Sequence, residues 1–153
     1  ARINEAGSWI NRYWRIDQIM SRNLYTVQEE DLIDLAPNIM SWKEIRDLPV
    51  ENEDGEFVGL LTVKELMKHY AGTRVEGEIV TIGDVMLRKV ITVTEEMRTI
   101  EAISLLRKNN ISSLPVLNSS GKLVGIVTER DFVNVADHFL HEFIEEFENG
   151  KSE

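Results

Sequence analysis

Residues 114–132, LPVLNSSGKLVGIVTERDF, decide the fold because the chain contains a near copy of them upstream. The copy is residues 48–66, LPVENEDGEFVGLLTVKEL, and aligned positions differ by 66 in number (114 − 48 = 66). The same shift, without a gap, relates Met20 to Met86, Thr26 to Thr92, Ala36 to Ala102 and Ile45 to Ile111. One constant offset over roughly fifty positions indicates an internal repeat. The sequence therefore predicts two copies of one structural unit.

Each copy is predicted to hold three strands. In the second copy, short apolar and β-branched runs predict strands at residues 90–93, 114–117 and 122–128. The last two strands should form a hairpin in which Gly121, like Gly55 in the first copy, has a positive φ. The shift of 66 places the equivalent first strand of the first copy at residues 24–27.

Two helices complete each copy, in the order β-α-β-β-α, so the predicted fold class is α/β (α+β). The second copy should have one helix over residues 100–108 and another that starts at Thr128. In the first copy, Pro37 falls within the first helix, so that helix should start late, with Asp34 as its N-cap. The residues of the 100–108 helix that we expect to face the core are Ile100, Ile103, Leu105 and Leu106.

Charge and composition narrow the classes of function. The 153 residues include 17 Lys and Arg against 27 Asp and Glu, which gives a formal net charge of −10. Such a chain is unsuited to nonspecific nucleic-acid binding, which depends on neutralising phosphates with basic side chains. No apolar run approaches the ~20 residues of a membrane-spanning helix, and there is no cysteine. We expect a cytoplasmic protein that contacts neither nucleic acid nor membrane.

The junction between the last strand and the last helix, GIVTERD at residues 125–131, supports two interpretations. Thr128 and Asp131 are spaced as in a capping box, where the hydroxyl caps the helix and the acid reaches back to the Thr128 amide. A helix start also presents free N–H groups that suit an anionic ligand, with Arg130 as a counter-charge. A carboxylate can in addition accept hydrogen bonds from two vicinal hydroxyls of a ligand. These residues alone leave both interpretations open.

Several motifs together resemble a cystathionine β-synthase (CBS) domain. In the second copy they are TIGDVM at 81–86, ITV at 91–93, SSLPV at 112–116 and GKLVGIVTERD at 121–131. In the first copy IDQIM at 16–20, YTV at 25–27, RDLPV at 46–50 and GEFVGLLTVKE at 55–65 resemble a more divergent one. The resemblance implies a tandem CBS pair, or Bateman module, of two pseudo-symmetric repeats packed through their sheets. Residues 1–72 would hold an N-terminal helix and repeat 1, and residues 73–153 repeat 2 and a C-terminal helix.

The resemblance also implies a function and a main binding site. Such a module would bind an adenosine-type ligand (AMP, ADP, ATP or S-adenosylmethionine) in a cleft between the repeats, form a homodimer, and regulate an attached or partner protein without being an enzyme. The family's ribose signature matches Gly125, Thr128 and Asp131, with Asp131 taking the ribose hydroxyls. The other wall would come from Ile45, facing the adenine, and Arg46, facing a phosphate. The N-terminal approach near Trp14 and Arg15 would line the same cleft.

A second, pseudo-symmetric site would use Thr62 with Ile111 and Ser112. There the resemblance is incomplete, because Glu65 stands where the signature has aspartate. Glutamate is the residue that a capping box prefers. We therefore interpret Thr62 and Glu65 as a helix cap, and Thr128 and Asp131 as the ligand site, with one ligand per chain.

Other functional assignments remain as alternatives or are set aside. The sites could be empty, in which case the repeats serve dimerisation or interaction, or the chain could be the regulatory fragment of a larger enzyme such as a carboxylate–amine ligase. The acidic turn ENEDGE at 51–56 lacks EF-hand ligand spacing. A helical cluster of metal-binding residue types is more simply a solvated surface, so we expect no metal and no catalytic residue; its members are His138, His141, Glu142 and Glu145.

An apolar stripe runs along the predicted C-terminal helix, past the second copy, and a second apolar segment, WINRYWRI at residues 9–16, lies near the start of the chain. Either the helix folds onto its own module, or the stripe contacts a second copy or a partner protein. The sequence favours neither. The stripe consists of Phe132, Ala136, Phe139, Leu140, Phe143, Ile144 and Phe147.

Overall fold

The computed structural model describes residues 12–151. Within that range the first part of the chain forms α1 (Ile16–Ile19), β1 (Val27–Gln28), α2 (Leu35–Lys43), β2 (Asp47–Glu51), β3 (Phe57–Thr62) and α3 (Val63–Ala71). The second part forms α4 (Ile82–Val85), β4 (Val93–Thr94), α5 (Thr99–Asn109), β5 (Ser113–Leu117), β6 (Leu123–Thr128) and α6 (Glu129–Lys151). The predicted order β-α-β-β-α is confirmed in both copies, each preceded by a short helix.

Each copy contains one three-stranded sheet, ordered β1-β2-β3 in the first and β4-β5-β6 in the second. The first two strands of each sheet are parallel and the last two antiparallel. Pro49 pairs with Leu60, and Pro115 pairs with Ile126, so the strand register repeats at the shift of 66. The internal repeat read from the sequence is therefore a repeat of structure.

The first strand of each copy is shorter and later than predicted. The sequence predicts strands at 24–27 and 90–93, whereas the structure has Val27–Gln28 and Val93–Thr94. The reason is register: Val27 pairs with Val50 and Val93 with Val116, near the ends of β2 and β5. Extended backward in this parallel register, the residues before Val27 and Val93 would face Pro49 and Pro115, which have no N–H to donate, and pairing begins only at the two valines.

The two hairpins form as predicted, with φ of +76° at Gly55 and +79° at Gly121. A left-handed conformation of this kind is accessible to glycine at little cost. In the second hairpin the side-chain oxygen of Asn118 accepts a hydrogen bond of 3.0 Å from the Lys122 amide. The polar turn thus satisfies its own backbone.

Helix α2 begins after Asp34, as the position of Pro37 predicts, so the proline lies in the first turn where its missing N–H costs little. Asp34 is the N-cap residue, but its side chain does not cap the helix. Its Oδ1 instead accepts a hydrogen bond of 2.7 Å from the Tyr70 hydroxyl.

The prediction of the buried face of α5 is wrong in part. Leu106 is buried and Leu105 half-buried, but Ile100 is 62% exposed and Ile103 is 36% exposed. The buried residues Thr99, Ala102 and Leu106 follow the i, i+3, i+7 spacing of one helix face. Thr99 belongs to this face because its hydroxyl donates to the carbonyl of Tyr13.

The chain divides into two compact units. One unit is Asn23–Ile91, and the other combines the residues up to Arg22 with those from Thr92 onward. In the first unit Leu87, just after α4, forms a backbone bridge to Leu60. In the second unit Ser21, just after α1, forms the equivalent bridge to Ile126. Each unit is thus completed by the segment that precedes the other repeat in sequence.

Helix α6 has 23 residues and none of them is buried. Its apolar stripe is exposed, with Leu140, Phe143 and Phe147 each more than half accessible. At one flank, the guanidinium of Arg12 lies 2.8 Å from a carboxylate oxygen of Glu142. Within residues 12–151, no helix combines the length and the apolar character needed to cross a membrane.

Candidate functional site: the start of the last helix

The carboxylate of Asp131 is fixed at the point where β6 ends and α6 begins. The Thr128 amide donates to Asp131 Oδ2 over 2.8 Å, and the Thr128 hydroxyl lies 3.4 Å from the same oxygen. This is the carboxylate half of a capping box. Within the described range 12–151, Oδ1 of Asp131 has no hydrogen-bond donor. One oxygen therefore orients the side chain and the other is left open.

Burial raises the pKa of Asp131 above its ordinary value. The two hydrogen bonds from Thr128 and the charge of Arg130 act in the opposite direction, but burial is the larger effect. An ionised carboxylate that has lost water and keeps one oxygen without a donor is under-solvated. Hydroxyl groups of a ligand would restore the missing hydrogen bonds, so this carboxylate is suited to bind them.

At the start of α6, one backbone N–H group is hydrogen-bonded within its own unit. The Glu129 amide donates to the carbonyl of Ser112 over 3.0 Å. Arg130 follows, with its side chain exposed. The arrangement thus places a cation next to the carboxylate of Asp131 at the positive end of a helix.

Gly125 has a packing role that sequence reasoning missed. A Cβ at this buried position would lie 2.5 Å from Met20 Sδ and 3.1 Å from the Ser21 carbonyl oxygen. A Cβ at Gly59, in the first copy, would lie 2.7 Å from the Leu87 carbonyl oxygen. Both glycines let the segment after a short helix approach the sheet closely. The recurrence of glycine at the shift of 66 is the one feature of the sequence that could have indicated this role.

The equivalent junction in the first copy is closed by a helix cap. The Thr62 hydroxyl accepts a hydrogen bond of 3.2 Å from the Glu65 amide, so the predicted cap is confirmed. The Glu65 carboxylate does not complete the box; it lies 3.9 Å from the Lys68 ammonium. Thr128 differs, since its hydroxyl faces the Asp131 side chain. The two junctions therefore have the same strand-to-helix arrangement but different side-chain hydrogen bonds.

The remaining predicted site residues fall in two groups. Gly125, Thr128, Arg130 and Asp131 lie together in the unit that contains α6, whereas Ile45 and Arg46 belong to the unit Asn23–Ile91. In that unit Ile45 packs, half-buried, against the core. Arg46 is exposed, and its carbonyl accepts a hydrogen bond of 2.9 Å from the Val63 amide.

The second predicted site divides in the same way between the units. Thr62 belongs to the unit Asn23–Ile91, whereas Ile111 and Ser112 belong to the unit with α6. Ile111 is half-buried, and its amide donates to the Leu106 carbonyl over 3.1 Å. Ser112 has an exposed side chain.

The N-terminal and histidine-containing segments show other interactions. Arg15 pairs with Asp17 at 2.5 Å, and Arg98 lies over the ring of Trp14 at 5.3 Å from its centroid. Residues 1–11, including Trp9, lie outside the described part of the chain. The Asp137 backbone and charge raise the pKa of His141. Within residues 12–151 no group of three or more histidine, cysteine or acidic side chains is arranged to hold a metal ion.

The family model described as CBS domain matches residues 16–72 and 82–138. The chain belongs to the CBS domain family. It contains two CBS domains in tandem, which makes it a CBS pair and confirms the resemblance seen in the sequence.

Relatives of this CBS pair include large enzymes. It is 36% identical over 124 residues to the inosine-5'-monophosphate dehydrogenase of Thermoplasma acidophilum, an alignment that covers 81% of this chain and 24% of the relative. It is 32% identical over 113 residues to the homoserine O-acetyltransferase of Methanosarcina acetivorans, covering 74% of this chain and 20% of the relative. The chain thus spans about a quarter or less of these enzymes. A CBS domain-containing protein of Dictyostelium discoideum is matched over 89% of its length at 27% identity.

Solved CBS pairs have the same fold. The CBS domain pair of protein MJ0100, in complex with 5'-methylthioadenosine and S-adenosylmethionine, superposes with a TM-score of 0.72 at 29% identity, covering 81% of this chain and 96% of that one. The structure of CBSX2 in complex with AMP superposes with a TM-score of 0.70 at 24% identity, covering 82% of this chain and 98% of that one. These comparisons confirm the predicted fold class.

Proposed function

We propose that this CBS pair is a ligand-sensing regulatory module that binds an adenosine-type ligand and controls an attached or partner protein, without being an enzyme itself. The observation that carries the proposal is the carboxylate of Asp131, oriented through Oδ2 and open at Oδ1. The ligand class is supported by the CBS pair of MJ0100, which holds two adenosine compounds at 29% identity. A cytoplasmic location agrees with the absence of cysteine.

In this proposal Asp131 accepts hydrogen bonds from the two ribose hydroxyls of the ligand. Vicinal hydroxyls donate to one carboxylate, and such charge-assisted bonds are the stronger kind. Arg130 and the amides at the start of α6 face a phosphate or another anionic group when the ligand has one. The resemblance to the family adds Ile45 against the adenine and Arg46 against a phosphate. We propose one ligand per chain, because in the first copy the Thr62 hydroxyl is engaged by the Glu65 amide and the Glu65 carboxylate lies beside Lys68.

Regulation of another protein is the second part of the proposal. The relatives that are enzymes carry the CBS pair as about a quarter of their length or less, so in them it accompanies a much larger portion. We propose that the present CBS pair likewise accompanies a larger protein, either as part of the same chain or as a separate partner. A ligand can regulate only if it binds one state of the assembly more tightly than another.

A dimerisation or interaction module with empty sites is the alternative function, and the exposed stripe of α6 supports it. Phe143 is 57% exposed and Phe147 is 56% exposed, and exposed apolar patches mark interaction surfaces. A homodimer is compatible with both functions. Light scattering of the chain and of Phe143→Asp measures the dimer and its dependence on the stripe. A monomeric parent chain would contradict a dimer.

A thermal-shift panel with AMP, ADP, ATP and S-adenosylmethionine tests ligand binding. A ligand present at 100 times its Kd stabilises the folded state by about 2.7 kcal/mol. GMP is the matched control, since it keeps the ribose and phosphate and changes only the base. Stabilisation by at least one adenosine compound, and less by GMP, is expected. The absence of any shift with all four compounds would favour the alternative of empty sites.

A further inference from the structure

A pocket away from the α6 junction lies within the unit Asn23–Ile91. Its volume is about 210 Å³. It lies where the start of α2, the end of α3 and the segment 72–80 between the repeats come together. The residues that line it include Leu32, Asp34, His69, Tyr70, Arg74, Val75, Glu78 and Ile79.

The polar groups of this pocket are held in place by one another. The Tyr70 hydroxyl donates to Asp34 Oδ1 over 2.7 Å. The Arg74 guanidinium lies over the Tyr70 ring, 4.3 Å from its centroid. Among residues 12–151, no carboxylate forms a salt bridge with Arg74. The pocket thus presents a positioned cation whose charge is not neutralised by a direct acidic partner.

The rim of the pocket is apolar and exposed. Leu32 is 57% exposed, Val75 67% and Ile79 77%. The backbone holds this rim together, because the Ile33 amide donates to the Val80 carbonyl over 3.0 Å. A ligand with an aliphatic body would therefore remove apolar surface from water on binding.

The charges around the pocket have both signs. Asp34 and Glu78 are formally negative and Arg74 is formally positive. A simple anion would meet two carboxylates and a simple cation would meet Arg74. A ligand that carries both charges can place its positive group near the carboxylates and its negative group near Arg74.

We propose that this pocket binds a small aliphatic α-amino acid, with its carboxylate on Arg74, its ammonium group on Asp34 and Glu78, and its side chain against the apolar rim. The volume supports a ligand of this size, because drug-sized ligands occupy pockets of roughly 300–1,000 Å³. The site is independent of Asp131, which belongs to the other compact unit.

Titration of the full chain with L-leucine, followed by amide NMR shifts, tests the proposal. The matched probes are leucinamide, which lacks the carboxylate, and 4-methylpentanoate, which lacks the ammonium group. Saturable shifts at Tyr70, Val75 and Ile79 with L-leucine are expected. Each matched probe should bind at least about tenfold more weakly, since each loses a charge-assisted contact. If 4-methylpentanoate binds as tightly as L-leucine, or L-leucine gives no saturable shift, the proposal is wrong.

Two variants separate the pocket from a general effect on the fold. Arg74→Gln should weaken L-leucine binding about tenfold, whereas Glu78→Gln should weaken it only twofold to fivefold because Asp34, which also lines the pocket, still faces the ammonium group. Arg107→Gln, an exposed change on α5 in the other unit, is the matched control and should leave the affinity unchanged. Thermal unfolding verifies that all three variants fold. Folded Arg74→Gln with the affinity of the parent chain would overturn the assignment.

Discussion

Replacing Asp131 by alanine removes the carboxylate that we assign to the ribose hydroxyls. In the parent chain Oδ2 is held by the Thr128 amide at 2.8 Å, which leaves Oδ1 as the oxygen without a donor among residues 12–151. At least one charge-assisted hydrogen bond to the ligand is then lost, and each contributes roughly 1.5–3 kcal/mol. Since about 1.4 kcal/mol corresponds to a tenfold change, affinity for an adenosine ligand should fall by at least about tenfold to a hundredfold.

The same substitution should change stability little. It removes the hydrogen bond to the Thr128 amide, and losing a capping interaction costs about 0.5–2 kcal/mol. It also removes a carboxylate whose charged form is disfavoured by burial, which offsets part of that cost. A change below about 1 kcal/mol in the free energy of unfolding is therefore expected. Loss of affinity without loss of stability would locate the effect in the ligand contact.

Isothermal titration with AMP and adenosine measures the affinities of Asp131→Ala, Asp131→Asn and Glu65→Ala. The asparagine variant keeps the size of the side chain and removes its charge, so it should also bind more weakly. Glu65→Ala is the matched control at the equivalent position and should retain the parent affinity. Arg46→Ala should weaken AMP more than adenosine if Arg46 faces the phosphate. Equal losses in Asp131→Ala and Glu65→Ala would refute the assignment of a single site.

Three further predictions concern pH, packing and capping. Ligand hydroxyls bind the ionised form of Asp131, whose pKa in the free protein is raised above the ordinary value of 3.8. Titration calorimetry should therefore show a constant affinity at pH values above this raised pKa, and a weaker affinity as the pH is lowered through it. Gly59→Ala should lower the free energy of urea unfolding by about 1–3 kcal/mol, because its Cβ would meet the Leu87 carbonyl. Thr62→Ala should lower it by about 0.5–2 kcal/mol, and Thr128→Ala by less, because only Thr62 accepts a helix amide.

The controls for these measurements are chosen by position. Gly150→Ala, on the open surface of α6 where nothing lies within 4 Å of the added Cβ, should not destabilise the chain. Destabilisation by Gly150→Ala equal to that of Gly59→Ala would argue against packing as the cause. Affinity that does not change with pH below neutrality would contradict ionisation of Asp131 in binding. Equal costs for Thr62→Ala and Thr128→Ala would remove the difference between the two junctions.

Most of the fold was predictable because the repeat supplies each observation twice. The hairpin glycines Gly55 and Gly121 confirm one another, as do the paired prolines Pro49 and Pro115. The start of α2 followed from Pro37, whose ring allows a helix only around its first turn. These features depend on the conformational preferences of single residues, which can be read from the sequence.

The incorrect predictions concern contacts between segments distant in sequence. Helical periodicity alone could not predict that Ile100 is exposed. The buried face of α5 is the one that contains Thr99, because the Thr99 hydroxyl donates to the carbonyl of Tyr13. The length of β4 depends on where Val93 meets Val116. The packing role of Gly125 required the position of Met20. In each case the local sequence allows more than one arrangement, and contacts with distant segments determine which one forms.

The question of cap or ligand is answered differently for the two helix starts, and the difference comes from few atoms. In the first copy the Thr62 hydroxyl accepts the Glu65 amide, and the longer glutamate side chain extends to Lys68, so the hydroxyl and the acid are both engaged. In the second copy the shorter Asp131 side chain turns back to the Thr128 amide. That contact is itself part of a capping box, yet it uses one oxygen and holds the other in a partly buried position. Capping and ligand binding are thus compatible at Asp131, because the bond that orients the carboxylate for the helix also presents it to a ligand.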